Sequence, residues 1–249
     1  IERTLADFRG VQFDEDGEIV GGQLTQTTLR MSLDADDNEK EGTKKTYAEI
    51  TFSGEGNPEQ SITTNYKKDG KTPIDRIAAD FTNVEFDNDG EIVGGKLAQV
   101  TFRMSLDADE NEVQGSRKSA AEITFNTEGN PETSMTTNYK KDGKTPTDLV
   151  KADFTGVVFD EEGEITGGNL QQTTLRMSLG ADGNEVEGTK KAFSDISFTS
   201  EGNPNISVTT SYKKDGKTPI EQTVADFTGI TFDEDVDIIG GELAQTTFR

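Results

Sequence analysis

The chain has 249 residues, with 25 Lys or Arg against 48 Asp or Glu, a net charge of −23, and no Cys, His or Trp. That composition excludes disulfide frameworks, thiolate nucleophiles, imidazole bases and Cys- or His-ligated metals, and with them the usual catalytic triads. The acidity repels phosphate backbones and anionic lipid surfaces, so neither a nucleic-acid partner nor membrane insertion is expected.

Hydrophobic residues make up only 30% of the chain, below the roughly 45–50% of an ordinary domain. Disorder is nevertheless rejected, because the 14 Phe recur at fixed positions and the apolar residues alternate. Such a pattern suits thin β layers with small cores and much wet surface. No apolar run approaches the ~18 residues of a membrane span. The chain starts at Ile1 rather than Met, which reads as a processed product or a piece of something longer.

In chain order, the first expected strand is Ala6 to Phe13, ending in the turn Asp14-Glu15-Asp16-Gly17. The second runs from Glu18 to Leu33, interrupted by Gly21-Gly22, then alternating through Thr25, Thr27, Leu29, Met31 and Leu33. An acidic loop from Asp34 to Gly42 precedes a third strand around Tyr47 to Phe52, with Ile50 and Phe52 inward. Gly54-Glu55-Gly56-Asn57-Pro58 turns into the fourth, Gln60 to Lys67, where Ile62, Thr64 and Tyr66 share a face. Tyr66-Lys67-Lys68-Asp69-Gly70-Lys71-Thr72-Pro73 then closes the set with turn chemistry and too few residues for a flexible linker.

The same order repeats. Ala6-Asp7-Phe8 recurs at Ala79, Ala152 and Ala225, a step of 73 residues, and about 51 of 73 positions match between the first two copies. Copies span residues 1–73, 74–146 and 147–219, and 220–249 is the first part, two strands, of a fourth. The expected fold is all-β: an elongated tandem array of mainly antiparallel, four-stranded units that lean on one another. Two orphan strands in 220–249 would expose an apolar face and open edges, so they are expected to pair with another unit or chain. Self-association, or contact with neighbouring subunits, through β edges follows as the partner expectation.

Two acidic segments are candidate sites. The loop from Asp34 places oxygen side chains at alternate positions, and calcium takes six to eight oxygens at about 2.3–2.6 Å. The candidate ligands are Asp34, Asp36, Asn38 and Glu41 in the first copy, and Asp107, Asp109 and Asn111 in the second, where Gln114 replaces the Glu. In the third they are Asp182, Asn184 and Glu187, with Gly180 at the first position. The closing Glu of an EF-hand loop is missing and no helices flank it, so a solvated acidic hairpin loop is the competing reading. The turn Asp14 to Glu18, repeated at Asp87 to Glu91, Asp160 to Glu164 and Asp233 to Asp237, is explained as a tight turn, Val236 replacing Gly in the last copy. Arg30, Arg103, Arg176 and Arg249 are expected to pair across strands with Glu49, Glu122 and Asp195 or to contact another subunit.

The run Tyr66 to Pro73, with Phe81-Thr82-Asn83-Val84-Glu85-Phe86-Asp87-Asn88-Asp89-Gly90-Glu91-Ile92-Val93-Gly94-Gly95, resembles β segments of bacterial flagellar hook proteins. The resemblance covers roughly a third of each unit. The chain departs from that family in its tandem repetition and in lacking heptad-bearing helical termini. Near-identical acidic units without Cys are similar also to the extender repeats of large bacterial surface adhesins. These resemblances imply an extracellular or cell-surface structural protein, not an enzyme, in a bacterial appendage or fibre. The alternative is an adhesin stalk stiffened by calcium. An enzyme acting on polysaccharide finds little support, since only four Tyr and no Trp are available to stack on sugar rings.

Overall fold

The computed structural model describes residues 2–33, 38–232 and 238–249, and among them every regular element is a β-strand. The strands are β1 (Glu2–Asp7), β2 (Val11–Phe13), β3 (Ile19–Leu33), β4 (Glu39–Phe52), β5 (Pro58–Tyr66), β6 (Pro73–Phe86), β7 (Ile92–Leu106), β8 (Glu112–Phe125) and β9 (Pro131–Tyr139). They continue as β10 (Pro146–Asp153), β11 (Val157–Phe159), β12 (Ile165–Leu179), β13 (Glu185–Phe198), β14 (Pro204–Tyr212), β15 (Pro219–Asp226), β16 (Ile230–Phe232), β17 (Ile238–Gly241) and β18 (Ala244–Phe248). Sixteen form one open sheet in the order β1-β3-β4-β5-β6-β7-β8-β9-β10-β12-β13-β14-β15-β18, β2 and β11 lying beside β3 and β12. β16 and β17 make a separate pair. Every pairing whose register is defined is antiparallel, as the alternation predicts. The strands fall into two compact units, residues 1–122 with 141–144, and residues 123–140 with 145–249.

In the first unit the repeat end is a hairpin inside the sheet. Asp69 Oδ1 accepts the Lys71 and Thr72 amides at 2.9 and 2.8 Å, and Lys67 N–H donates to the Thr72 carbonyl at 2.9 Å. That closed turn lets β5 and β6 pair from Gln60↔Asp80 to Tyr66↔Pro73. The second unit repeats the device, Asp215 serving Lys217 and Thr218, and β14 pairs with β15 from Ile206↔Asp226 to Tyr212↔Pro219. Within 220–249, β15 thus pairs with the third repeat and β18 with β15, while Ile220, Ile238, Ile239, Leu243 and Phe248 stay exposed.

The first expected strand is one continuous element in the second copy, Pro73–Phe86, but divides in the first and third. There Val11 and Val157 N–H groups close turns onto the Phe8 and Phe154 carbonyls, each at 2.9 Å. A β-carbon on Gly10 would fall 2.7 Å from the Gln23 carbonyl oxygen. Asn83 at the corresponding place carries that carbon, and the chain stays extended with a register shift between Asp80 and Asn83.

Two other expectations are corrected. The third strand starts at Glu39 rather than near Tyr47, and Glu39, Lys40 and Glu41 pair with Leu33, Ser32 and Met31. This arm is polar on both faces, so alternation could not reveal it. Ile50 and Phe52, expected inward, are only half-buried, and Phe8, Phe13 and Leu33 are 50%, 48% and 51% exposed. Along Lys44 to Phe52 successive residues are half-buried on both faces, where a face packed under a second layer would alternate buried with exposed. Buried apolar side chains are few: Leu24, Leu29, Tyr66, Pro73, Ala79, Val84, Leu97 and Met104 in the first unit, and Tyr139, Pro146 and Leu149 in the second, among the described residues. Cross-strand pairs at roughly 0.2–1 kcal/mol each, multiplied along the ladders, carry the stability that a core would supply elsewhere.

Candidate functional site

The acidic turns use their carboxylates locally. In the β7–β8 turn, Asp107 Oδ1 accepts the amides of Asp109 and Asn111, both at 2.9 Å, and Asn111 Nδ2 donates to Oδ2 at 3.3 Å. These N–H groups, that of Asn111 foremost, pull the Asp107 carboxyl below its ordinary range. In the β12–β13 turn Asp182 accepts the Asn184 amide at 3.1 Å and its side-chain nitrogen at 2.6 Å, and its carboxyl is lowered for the same reason. Glu187 lies on β13 and takes Lys151 Nζ at 2.9 Å; Glu41 lies on β4 opposite Met31. Asn38 precedes β4, whereas Asp34 and Asp36 lie outside the described residues. Among the described residues no three acidic side chains gather as a metal site. The second acidic turn is built alike, Asp14 and Asp87 each accepting two amides at 2.9 Å. Its last copy, 233–237, lies outside the described residues.

The repeated arginines do something the sequence did not show. β3 and β4 slip register on both sides of Leu29, leaving Arg30 with no residue opposite it in the ladder, beside a bulge in β4. The Gly42 backbone approaches so closely that a β-carbon there would lie 2.3 Å from the Arg30 carbonyl oxygen. A bulge frees carbonyls from the ladder, and the guanidinium takes them: Arg30 Nη1 donates to Lys44 O at 2.7 Å and Nη2 to Tyr66 O at 2.8 Å. One side chain thus clips β3, β4 and β5 together. Arg176 does the same in the second unit, to Lys190 O at 2.6 Å and Tyr212 O at 2.7 Å, and Arg103 reaches Arg117 O at 2.6 Å. The expected partners sit too far along the register, Glu49 opposite Thr25 and Asp195 opposite Gln171. Glu122 instead takes Lys96 at 2.7 Å.

A second cluster joins successive repeats. Tyr66, 3% exposed, donates its hydroxyl to Glu112 Oε1 at 2.6 Å. Arg76 Nη2 reaches Glu112 Oε2 at 3.3 Å, its Nε donates to Thr64 Oγ1 at 3.1 Å, and Lys44 Nζ stands 3.6 Å from the Tyr66 ring centre. Burial, then the Glu112 carboxylate, push the Tyr66 phenol well above the usual tyrosine range. These side chains line a concavity of about 330 Å³ in which each charge already meets a partner. In the second unit Tyr139 donates to Glu185 at 2.7 Å. The sequence carried a signal for this joint: Tyr66, Tyr139 and Tyr212, and Glu39, Glu112 and Glu185, recur unchanged at the 73-residue step.

No helix among the described residues is long and apolar enough to cross a membrane. No protein-family model matches the chain, and no curated protein sequence matches it.

Proposed function

We propose that the chain is a structural component of a bacterial extracellular appendage or surface fibre, with a mechanical and assembly role rather than a catalytic one. The observation that carries this reading is the hairpin at each repeat end. Because β5 and β6, and likewise β14 and β15, pair along their length, tension applied to one repeat passes into the next through a ladder of hydrogen bonds and not through a tether. By side chains, the Arg30 clip ties β3, β4 and β5, and the Tyr–Glu joints tie β5 to β8 and β9 to β13. The polar groups in these clusters are matched to one another, as in a fastening. High negative charge keeps such open sheet faces from sticking non-specifically. Self-association through β edges belongs to the same proposal. Electron microscopy of the native material tests it: filaments or stalks at the cell surface support the reading, and a dispersed globular particle overturns it.

A further inference from the structure

The strands run between two ends of different charge. In the first unit the Lys67–Thr72 turn stands at one end of β6 and the Asp87–Glu91 turn at the other. The antiparallel order puts the Asp14–Glu18 turn at that second end too, because β3 and β7 both start there. In the second unit the Asp160–Glu164 turn opens β12, and the Lys213–Thr218 turn closes β14 at the opposite end. None of these acidic turns holds a Lys or Arg.

Charges at both ends lack partners. Lys67, Lys68 and Lys71, with their counterparts one and two 73-residue steps on, are exposed, and none is in an ion pair among the described residues. By contrast Lys45, Lys96, Lys118, Lys151 and Lys191, on the strands, are each paired with a carboxylate. Glu15, Asp16, Asp89, Glu91, Glu161 and Glu162 are exposed and equally without an ion pair among the described residues. The lysine turns are fixed in place: Thr43 Oγ1 donates to Lys68 O and Thr189 Oγ1 to Lys214 O, each at 2.7 Å. Fixed loops lose little freedom on binding. β6 has 14 residues, so its ends are about 45 Å apart, against a Debye length of about 8–10 Å. The two ends cannot neutralise each other within one sheet.

We propose that the lysine turns of one copy of this chain dock on the strongly acidic turns of a second copy, meeting end to end along the strand direction. The inference rests on the self-association reading above and adds strand ends to strand edges. The two rows of turns share a spacing. Strongly acidic turns precede β3 and β7, and lysine turns follow β9 and β14, each pair four strands apart in the sheet order, or about 19 Å. Alternate turns at the lysine end are acidic, Asp107–Asn111 and Gly180–Asn184, whereas alternate turns at the other end, Ser53–Asn57 and Thr199–Asn203, carry one Glu each. In register, the strongest acidic turns meet lysines and the weakest meet the acidic turns; a slip of two strands opposes like charges. A polyanion without this spacing would meet the acidic turns as well as the lysines. The two ends differ, so the contact is head to tail and propagates without closing.

The test uses the full chain. Isotope-labelled and unlabelled copies are mixed over a concentration series and treated with a carbodiimide, which joins an amine to a carboxylate only where the two touch. Mass spectrometry should find cross-links between copies that join the lysine turns to the Asp14–Glu18, Asp87–Glu91 and Asp160–Glu164 turns. Two variants leave the turn-forming aspartates and every ladder intact. One carries Lys68→Glu/Lys71→Glu/Lys141→Glu/Lys144→Glu/Lys214→Glu/Lys217→Glu, the other Glu15→Lys/Asp16→Lys/Asp89→Lys/Glu91→Lys/Glu161→Lys/Glu162→Lys. In sedimentation velocity each alone should assemble at least several-fold less than the parent, and an equal mixture should regain assembly. Both variants remain net negative, so recovery on mixing is not a bulk-charge effect. Cross-linking of the parent decides the matter even where a variant fails to fold. Cross-links that avoid these turns, or assembly undiminished in both variants, overturn this contact while leaving self-association standing. A parent chain that stays monomeric and uncross-linked throughout overturns both.

Discussion

At the residue scale, the repeated arginine and the turn aspartate determine where strands may bend. Arg176 satisfies the Lys190 and Tyr212 carbonyls from a single guanidinium fork, a geometry that an ammonium cannot copy. Hydrogen bonds to a charged donor contribute about 1.5–3 kcal/mol, so Arg176→Lys should lower the unfolding free energy by about 1–3 kcal/mol in urea melts. Asp195→Asn should change it by less than about 0.5 kcal/mol; the reverse ranking would restore the cross-strand ion pair. The turn aspartates give a pH signature. The Thr72 hydroxyl, then the Thr72 and Lys71 amides, hold the Asp69 carboxyl at about 2, and Thr218 and Lys217 hold Asp215 at about 2. Unfolded aspartate titrates near 3.9, so the unfolded chain takes up protons first. The stabilisation is present above about pH 4 and is lost as pH falls towards 2. The chain also passes its isoelectric point near pH 4.3 and gains net positive charge below it, so the informative quantity is a difference. The urea midpoint of Asp69→Asn/Asp215→Asn should fall less between pH 5 and 2 than that of the parent. The Asp-Gly turns were legible in sequence because their chemistry is local. The arginine clip was not, since it depends on a bulge two strands wide, and an alternating pattern carries no mark of a carbonyl turned out of its ladder.

At the element scale, long hairpins are joined by acidic turns whose carboxylates are engaged by amide N–H groups. Those bonds at Asp107 and Asp182, and the Lys151 contact at Glu187, compete with a cation for part of each carboxylate's lone pairs. The melting temperature is therefore expected to be the same, within about 1–2 °C, in millimolar calcium and in chelator. A calcium-induced rise abolished by Asp36→Ala with Asp109→Ala would instead support ions in these loops. Strand existence could be read from period-two alternation in Thr25 to Leu33, and strand extent could not. Glu39 to Glu41 pair with β3 although both their faces are wet, which leaves no apolar row to read. The Tyr–Glu joint was half legible, its residues recurring in every copy while the partnership spans 46 residues. Glu112→Gln should remove the charge on the Tyr66 contact. The Tyr66 titration, followed by ultraviolet difference absorbance, should then move down towards the ordinary tyrosine range; an unmoved titration would mean that burial alone sets it.

At the scale of the whole molecule, the 73-residue sequence period and the in-sheet hairpins make a case for a spacer rather than a catalyst. The composition foretold the absence of a large core, because 30% hydrophobic residues suffice only to half-cover both faces of a sheet. The boundaries of the two compact units were not legible, since the repeat junction at Asp69 to Pro73 is a turn within a ladder and no composition shift marks residue 122. Hydrogen exchange should find the β5–β6 and β14–β15 ladders among the slowest amides, because tension can pass only through ladders that stay closed. The central claim, that the chain spans distance, is met most directly by small-angle X-ray scattering of dilute monomer. Compact scaling gives a radius of gyration of roughly 18 Å for 249 residues. The account predicts a value well above that, with an elongated pair-distance distribution, and a value near 18 Å with a symmetric distribution would contradict it.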